Sequence, residues 1–186
     1  KWRGAIFIVD DNFIGNKVKV KEMLPVLAEW NNRLRKPFTF FTEASVNLAD
    51  DSPLLQMMKE ARFTRVFLGI ETPVEESLKE AQKFQNTRRS LLESVRKIQS
   101  YGMEVMAGFI VGFDSDPEEI FDRQVEFIQE SGIPLAMVGL LLALPGTVDR
   151  ALAQLLLTVG VAVGLGGGAF SLLRLERRTN FGGRLL

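Results

Sequence analysis

The sequence predicts an α/β fold, a partial (β/α) barrel of about five parallel strands with covering helices, resembling part of a TIM barrel. Three observations predict it. Nearly unbroken apolar runs recur at residues 5–9, 38–41, 65–70, 105–113 and 135–143. Amphipathic segments separate them, and continuous apolar strands alternating with helices signal a parallel sheet covered by helices. Every run also ends in polar or turn-forming residues, which a barrel gathers on one rim. A doubly wound sheet shares the first two features, and the convergence of polar strand ends favours the barrel.

Each element follows from its residues. The first run ends in Asp10, Asp11 and Asn12 before a Gly15-Asn16 turn, and the helix over 17–35 is expected to kink or restart at Pro25. The second run is followed by Thr42 and Glu43; Ser52 then caps a helix over 54–61 with Pro53 in its first turn. Glu71 and Thr72 close the third run, and Thr72-Pro73 with Glu75 and Glu76 opens the next helix. Thr87 is expected to cap a helix over 88–101, with Leu91, Val95 and Ile98 on one face and Gly102 ending it. The fourth run carries Gly108 and Gly112 and is followed by Asp114. Asp116-Pro117-Glu118-Glu119 then opens a helix that Gly132 ends, and the fifth run leads into Pro145-Gly146-Thr147.

Composition bounds the chemistry. The chain has 186 residues, 46% hydrophobic and 25% charged, enough to fill a core. Lys plus Arg and Asp plus Glu both number 23, so no net charge draws it to nucleic acid or an anionic membrane. It has no Cys and no His, hence no disulfide, thiolate nucleophile, histidine base or N/S metal site of its own. No metal ligand set and no catalytic residue are assigned. The chain opens on Lys1 without a signal-peptide pattern, which predicts a cytoplasmic piece of something longer.

Five segments, FIVDDNFIGN, FTFFTEASVNLADD, RVFLGIETPVEESLKEAQKFQNTRRSLLESV, EVMAGFIVGFDSD and GIPLAMVGLLLALPGT, occur in that order. Together they resemble the radical S-adenosylmethionine enzymes that carry a cobalamin-binding domain upstream, over about residues 5–147. The resemblance implies a partial barrel whose first unit bears a CxxxCxxC loop holding a [4Fe–4S] cluster. That cluster reductively cleaves S-adenosylmethionine to a 5′-deoxyadenosyl radical. The chain is expected to begin just after that unit, so cluster and cobalamin belong to a parent protein only. The parent reaction would be radical methyl transfer or related C–H or C–C chemistry on an unidentified small-molecule or lipid-like substrate, with the isolated chain inactive.

The resemblance also marks cofactor-binding candidates. It places Asp10, Asp11 and Asn12 near bound S-adenosylmethionine, although Asp and Asn equally suit a solvated turn. Glu43 matches a strand-end glutamate near the cofactor's amino group, where a charge-assisted hydrogen bond suits an ammonium; the bland alternative is an exposed acid beside a turn. Glu71 is read either as a rim ligand or as an anion supporting the next helix N-terminus. Gly108 and Gly112 match the family's GxIxG strand against the adenine, while packing alone also explains glycine there. Arg88 and Arg89 can bind an anion, but a solvated helix start accounts for them.

The resemblance stops after Thr147, which divides the chain into residues 1–147 and an atypical apolar, Gly-rich tail, 148–186. Residues 151–173 carry no charge, and Gly160, Gly164 and Gly168 recur at a spacing of four. An inserted or misread segment within 148–171, a membrane span over 151–173 and a buried Gly-rich element all fit. If the tail is genuine, a non-catalytic α/β module associated with a membrane is the alternative reading of the whole chain.

Overall fold

The computed structural model describes residues 4–87, 90–142 and 161–164, and for 161–164 only the backbone. The strands are β1 (Ile6–Ile8), β2 (Phe40–Ala44), β3 (Phe63–Glu71), β4 (Glu104–Val111), β5 (Leu135–Leu140) and β6 (Val161–Gly164). The helices are α1 (Lys17–Asn32), α2 (Ser52–Glu60), α3 (Glu75–Glu80), α4 (Phe84–Thr87), α5 (Leu91–Ser100) and α6 (Ile120–Ser131), with a 3₁₀ turn at Val46–Asp50. The sheet order is β1-β2-β3-β4-β5-β6, parallel through β5. A doubly wound sheet reverses its order at a switch point. Here order in space is order in sequence, the winding of a barrel.

Strand alternation sorts the side chains. Phe40, Thr42 and Ala44 of β2, Val66, Leu68 and Ile70 of β3, and Val105, Ala107 and Phe109 of β4 are buried on one face. Leu24 of α1, Leu54, Leu55 and Met58 of α2, Val95 and Ile98 of α5 and Ile128 of α6 join them in one core. Each large side chain fully buried there contributes about 1.5–3 kcal/mol, so this layer holds the helices to the sheet. Phe7, Phe41, Glu43, Arg65, Phe67, Gly69, Met106, Gly108 and Met137 have the opposite parity and line the other, open face. Phe7 stacks on Phe41 at 4.7 Å and Arg65 sits over the Phe41 ring, giving this face an aromatic floor at its amino end.

Several boundaries differ from those expected, each for a local reason. β2 lies two to three residues later than 38–41, because the Thr42 hydroxyl donates to Ile8 O and so is satisfied inside the sheet. α1 does not restart at Pro25 but runs through it, with Pro25 on its exposed side. Asp51, not Ser52, caps α2 by accepting from Leu54 N. Thr87 ends α4, and the α5 cap is Ser90, whose Oγ accepts from Glu93 N. β4 stops at Val111 because Gly112 turns to φ 102°.

In the tail, Val161–Gly164 pairs antiparallel with β5. Those residues form a strand, not a stretch of the membrane helix considered for 151–173. No described helix is long and apolar enough to cross a membrane. The remainder of 148–186, with Pro145-Gly146-Thr147, Arg88 and Arg89, lies outside the described residues.

Candidate functional site

The predicted residues Asp10, Asp11, Asn12, Glu43, Glu71 and Gly112 lie at or near the carboxyl ends of the parallel strands β1–β4, whereas Gly108 lies inside β4. After β1 the chain turns tightly: the Asp10 carboxylate accepts from Asn12 N at 2.9 Å, an Asx turn. Asp10, Asp11 and Asn12 are all exposed. Asn12 Oδ1 accepts from Ser45 N and Ser45 Oγ, and Phe13 N donates to Glu43 O at 3.0 Å. Asn12 therefore clips the first loop to the end of β2, and Asp10 shapes that loop.

Glu43 lies on the open face, in register with Phe67 of β3. Its main-chain oxygen is used by Phe13, but no described residue hydrogen-bonds its carboxylate. A half-buried carboxylate without a partner is available to a cationic or hydroxyl ligand.

Glu71 is held differently. It ends β3 with φ 68°, at the centre of a γ-turn closed by Thr72 N donating to Ile70 O at 2.9 Å. Arg62 and Gln82 also have positive φ, but each follows a helix, where such a residue is ordinary. Glu71 instead sits where the β3–β4 register slips between Gly69 and Glu71. Its carboxylate pairs with Lys83 Nζ at 2.9 Å and folds back across Gly69, where an added Cβ would lie 2.9 Å from Oε1. Asn86, 2% exposed, donates from Nδ2 to Gly69 O and Ile70 O just ahead of the turn.

At β4, Gly108 is occupied from the side by Phe67, whose Cζ is 3.1 Å from where a Cβ would stand. The close approach expected at Gly108 is thus made by an aromatic ring of the neighbouring strand. Gly112 donates its N–H to Asp116 Oδ2 at 2.8 Å, and a Cβ there would meet Leu140 Cδ1 at 3.1 Å. Asp116 also accepts from Phe113 N and from Ser77 Oγ of α3. Glu80 accepts from Asp114 N, Ser115 N and Ser115 Oγ. The Ser115 hydroxyl, aided by those two N–H groups and opposed by partial burial, holds the Glu80 carboxyl below its ordinary range. Two acids, one on α3 and one in the loop, therefore pin the β4–α6 loop.

Sequence reasoning missed Lys83, Asn86, Phe67, Glu80 and Asp116. Phe67 was recoverable from alternation along β3; the others lie on helices or loops whose docking no local pattern encodes. No group of three acidic side chains able to hold a metal ion occurs among the described residues.

No family model matches the chain. It is 53% identical over 146 residues to an uncharacterized methyltransferase of Synechocystis sp., covering 78% of this chain and 27% of that protein. It is 43% identical over 145 residues to the hopanoid C-2 methylase of Rhodopseudomonas palustris, covering 78% of this chain and 28% of that one. The chain thus spans about a quarter of the length of these curated relatives. Among solved structures, it superposes on the radical S-adenosylmethionine methyltransferase TsrM from Kitasatospora setae, whose structure holds cobalamin and a [4Fe–4S] cluster. The TM-score is 0.57 at 15% identity, over 73% of this chain and 27% of that one. The two share a fold.

Proposed function

We propose that the chain is a portion of a cobalamin-dependent radical S-adenosylmethionine methyltransferase, and that its open-face rim holds S-adenosylmethionine. The observation that carries this reading is the agreement of two findings. Both curated relatives have names denoting methyl transfer, and the open face presents an unpartnered carboxylate, Glu43 of β2, and on the next strand a second one, Glu71, held against a glycine. Glu43 would accept from the cofactor ammonium and Glu71 from a hydroxyl or amine further along the ligand. Asn12, Asp10 and Gly112 shape the loops at the end of the open face, and Gly108 with Phe67 forms part of that face.

The chain contains no thiol, so cluster ligands must come from another part of the parent, and no residue here is a candidate cobalamin ligand. Bound S-adenosylmethionine supplies the radical or methyl group; this chain's residues bind and orient it. A substrate, small-molecule or lipid-like, would meet the aromatic open face, with the upstream cobalamin domain as its partner in the parent.

Calorimetric titration of the 186-residue chain with S-adenosylmethionine tests the reading. Weak, saturable binding is expected, weakened about ten-fold by Glu43→Gln for loss of one charge-assisted hydrogen bond. Equal affinity of Glu43→Gln and wild type removes Glu43 from the site. Reductive cleavage by the isolated chain would overturn its status as a portion.

A further inference from the structure

Lys83 pairs with the Glu71 carboxylate, and Asn86 bonds the two carbonyls just ahead of it, Gly69 O and Ile70 O. The segment that carries them is built for the purpose. α3 ends in a left-handed turn at Gln82, φ 56°, with Lys83 N bonded to Leu78 O at 2.9 Å. That reversal sends the Lys83 side chain back to the Glu71 carboxylate. Asn86 N then donates to Lys83 O, and the Asn86 carboxamide reaches the backbone of Gly69 and Ile70. Its Oδ1 is buried with no described partner, so its burial serves the two bonds from Nδ2. Gly69 completes the arrangement, because its missing Cβ leaves the space in which the Glu71 carboxylate lies.

A non-glycine residue at positive φ outside a helix end is strained and persists only where its surroundings hold it. A helix-supporting acid at the start of α3 would need neither this turn nor a lysine partner. We propose that Gly69, Lys83 and Asn86 are positioning residues that hold the Glu71 carboxylate on the open face as a ligand acceptor. Asn86 fixes the strand end, Lys83 orients the carboxylate, and Gly69 admits it. The inference rests on the cofactor reading of the rim.

The test follows S-adenosylmethionine binding by NMR titration of the full chain, which detects millimolar affinities, with thermal unfolding recorded in parallel. Gly69→Ala is the decisive variant. The atom it displaces is the end of a flexible side chain, so folding is little affected while the carboxylate must leave its place. Gly69→Ala and Lys83→Met are each expected to raise Kd about ten-fold, with Tm nearly unchanged; Glu71→Gln should do the same, and Glu71→Gln with Gly69→Ala no more than Glu71→Gln alone. If Glu71→Gln weakens binding and the other two variants stay within about two-fold of wild type, the positioning role fails and the cofactor site stands. If Glu71→Gln has no effect while Glu43→Gln does, Glu71 is structural and the proposal falls alone. A wild-type chain that shows no response to millimolar ligand overturns the cofactor reading and this proposal together.

Discussion

Asp116→Ala offers a direct test of how the rim is held. Its two carboxylate oxygens divide the work: Oδ2 accepts from Gly112 N at 2.8 Å and Phe113 N at 3.0 Å, and Oδ1 from Ser77 Oγ at 2.7 Å. Each such bond contributes about 0.5–1.5 kcal/mol net, the one to exposed Gly112 at the low end. Ser77 is fully buried, so losing its acceptor adds a desolvation cost. The expected loss is about 2–4 kcal/mol, or a Tm lower by about 4–16 °C for a domain of this size. Asp116→Asn should cost about 1 kcal/mol or less, since one carbonyl oxygen can still accept both backbone N–H groups while the amide donates to Ser77. Urea unfolding followed by circular dichroism at neutral pH gives both values, and hydrogen exchange at Gly112 and Phe113 localises the change. An alanine variant within about 0.5 kcal/mol of wild type, or an asparagine variant as damaged as the alanine one, would refute the reasoning.

Two further predictions concern the same loop and its neighbouring strand. Because the folded-state pKa of Glu80 is depressed, its stabilisation is fully present above the ordinary value of 4.5 and is lost as pH falls below it. The difference in urea midpoint between wild type and Glu80→Gln should therefore be largest near neutrality and close on acidification; a gap undiminished at about pH 3 would contradict it. Gly108→Ala should destabilise by about 1–3 kcal/mol by pressing on the Phe67 ring, and Phe67→Leu should restore part of that loss. Strict additivity of the two substitutions in thermal unfolding would show that the ring is not what occupies the space beside Gly108.

The strands were legible because a parallel sheet covered by helices leaves continuous apolar runs, and order in sequence proved to be order in space. Helix faces were equally plain: Leu91, Val95 and Ile98 all point into the core. The ends were harder to read. Thr42 looks like a strand terminus by composition, yet its hydroxyl finds Ile8 O across the sheet, so β2 runs on to Ala44. Thr87 and Ser90 are both good caps by type, and only the fold of α4 decides between them. Asp116 reads as a helix opener beside Pro117, but its carboxylate turns back to the strand end and α6 starts at Ile120. In each case a tertiary partner outcompetes the local signal.

The acids at the rim separate by how their charge is used. Asp10 spends its carboxylate on its own loop, Asp116 and Glu80 spend theirs on the β4–α6 loop, and each is accounted for by the fold it supports. Glu43 has no described partner, although it lies half-buried on a face it shares with aromatic, methionine and glycine residues and with Arg65, which sits over Phe41. Glu71 has a partner but at the expense of a strained backbone, a slipped register and a glycine kept clear beneath it. An acid needed only for stability would sit where Asp116 does, repaid by two backbone donors and a buried hydroxyl. Composition places the same residue types after an apolar run in every case, so no sequence pattern distinguishes the two kinds. The distinction lies in whether the surroundings complete the carboxylate's hydrogen bonds, as they do for Asp10, Asp116 and Glu80, or leave it without a described partner, as they do for Glu43.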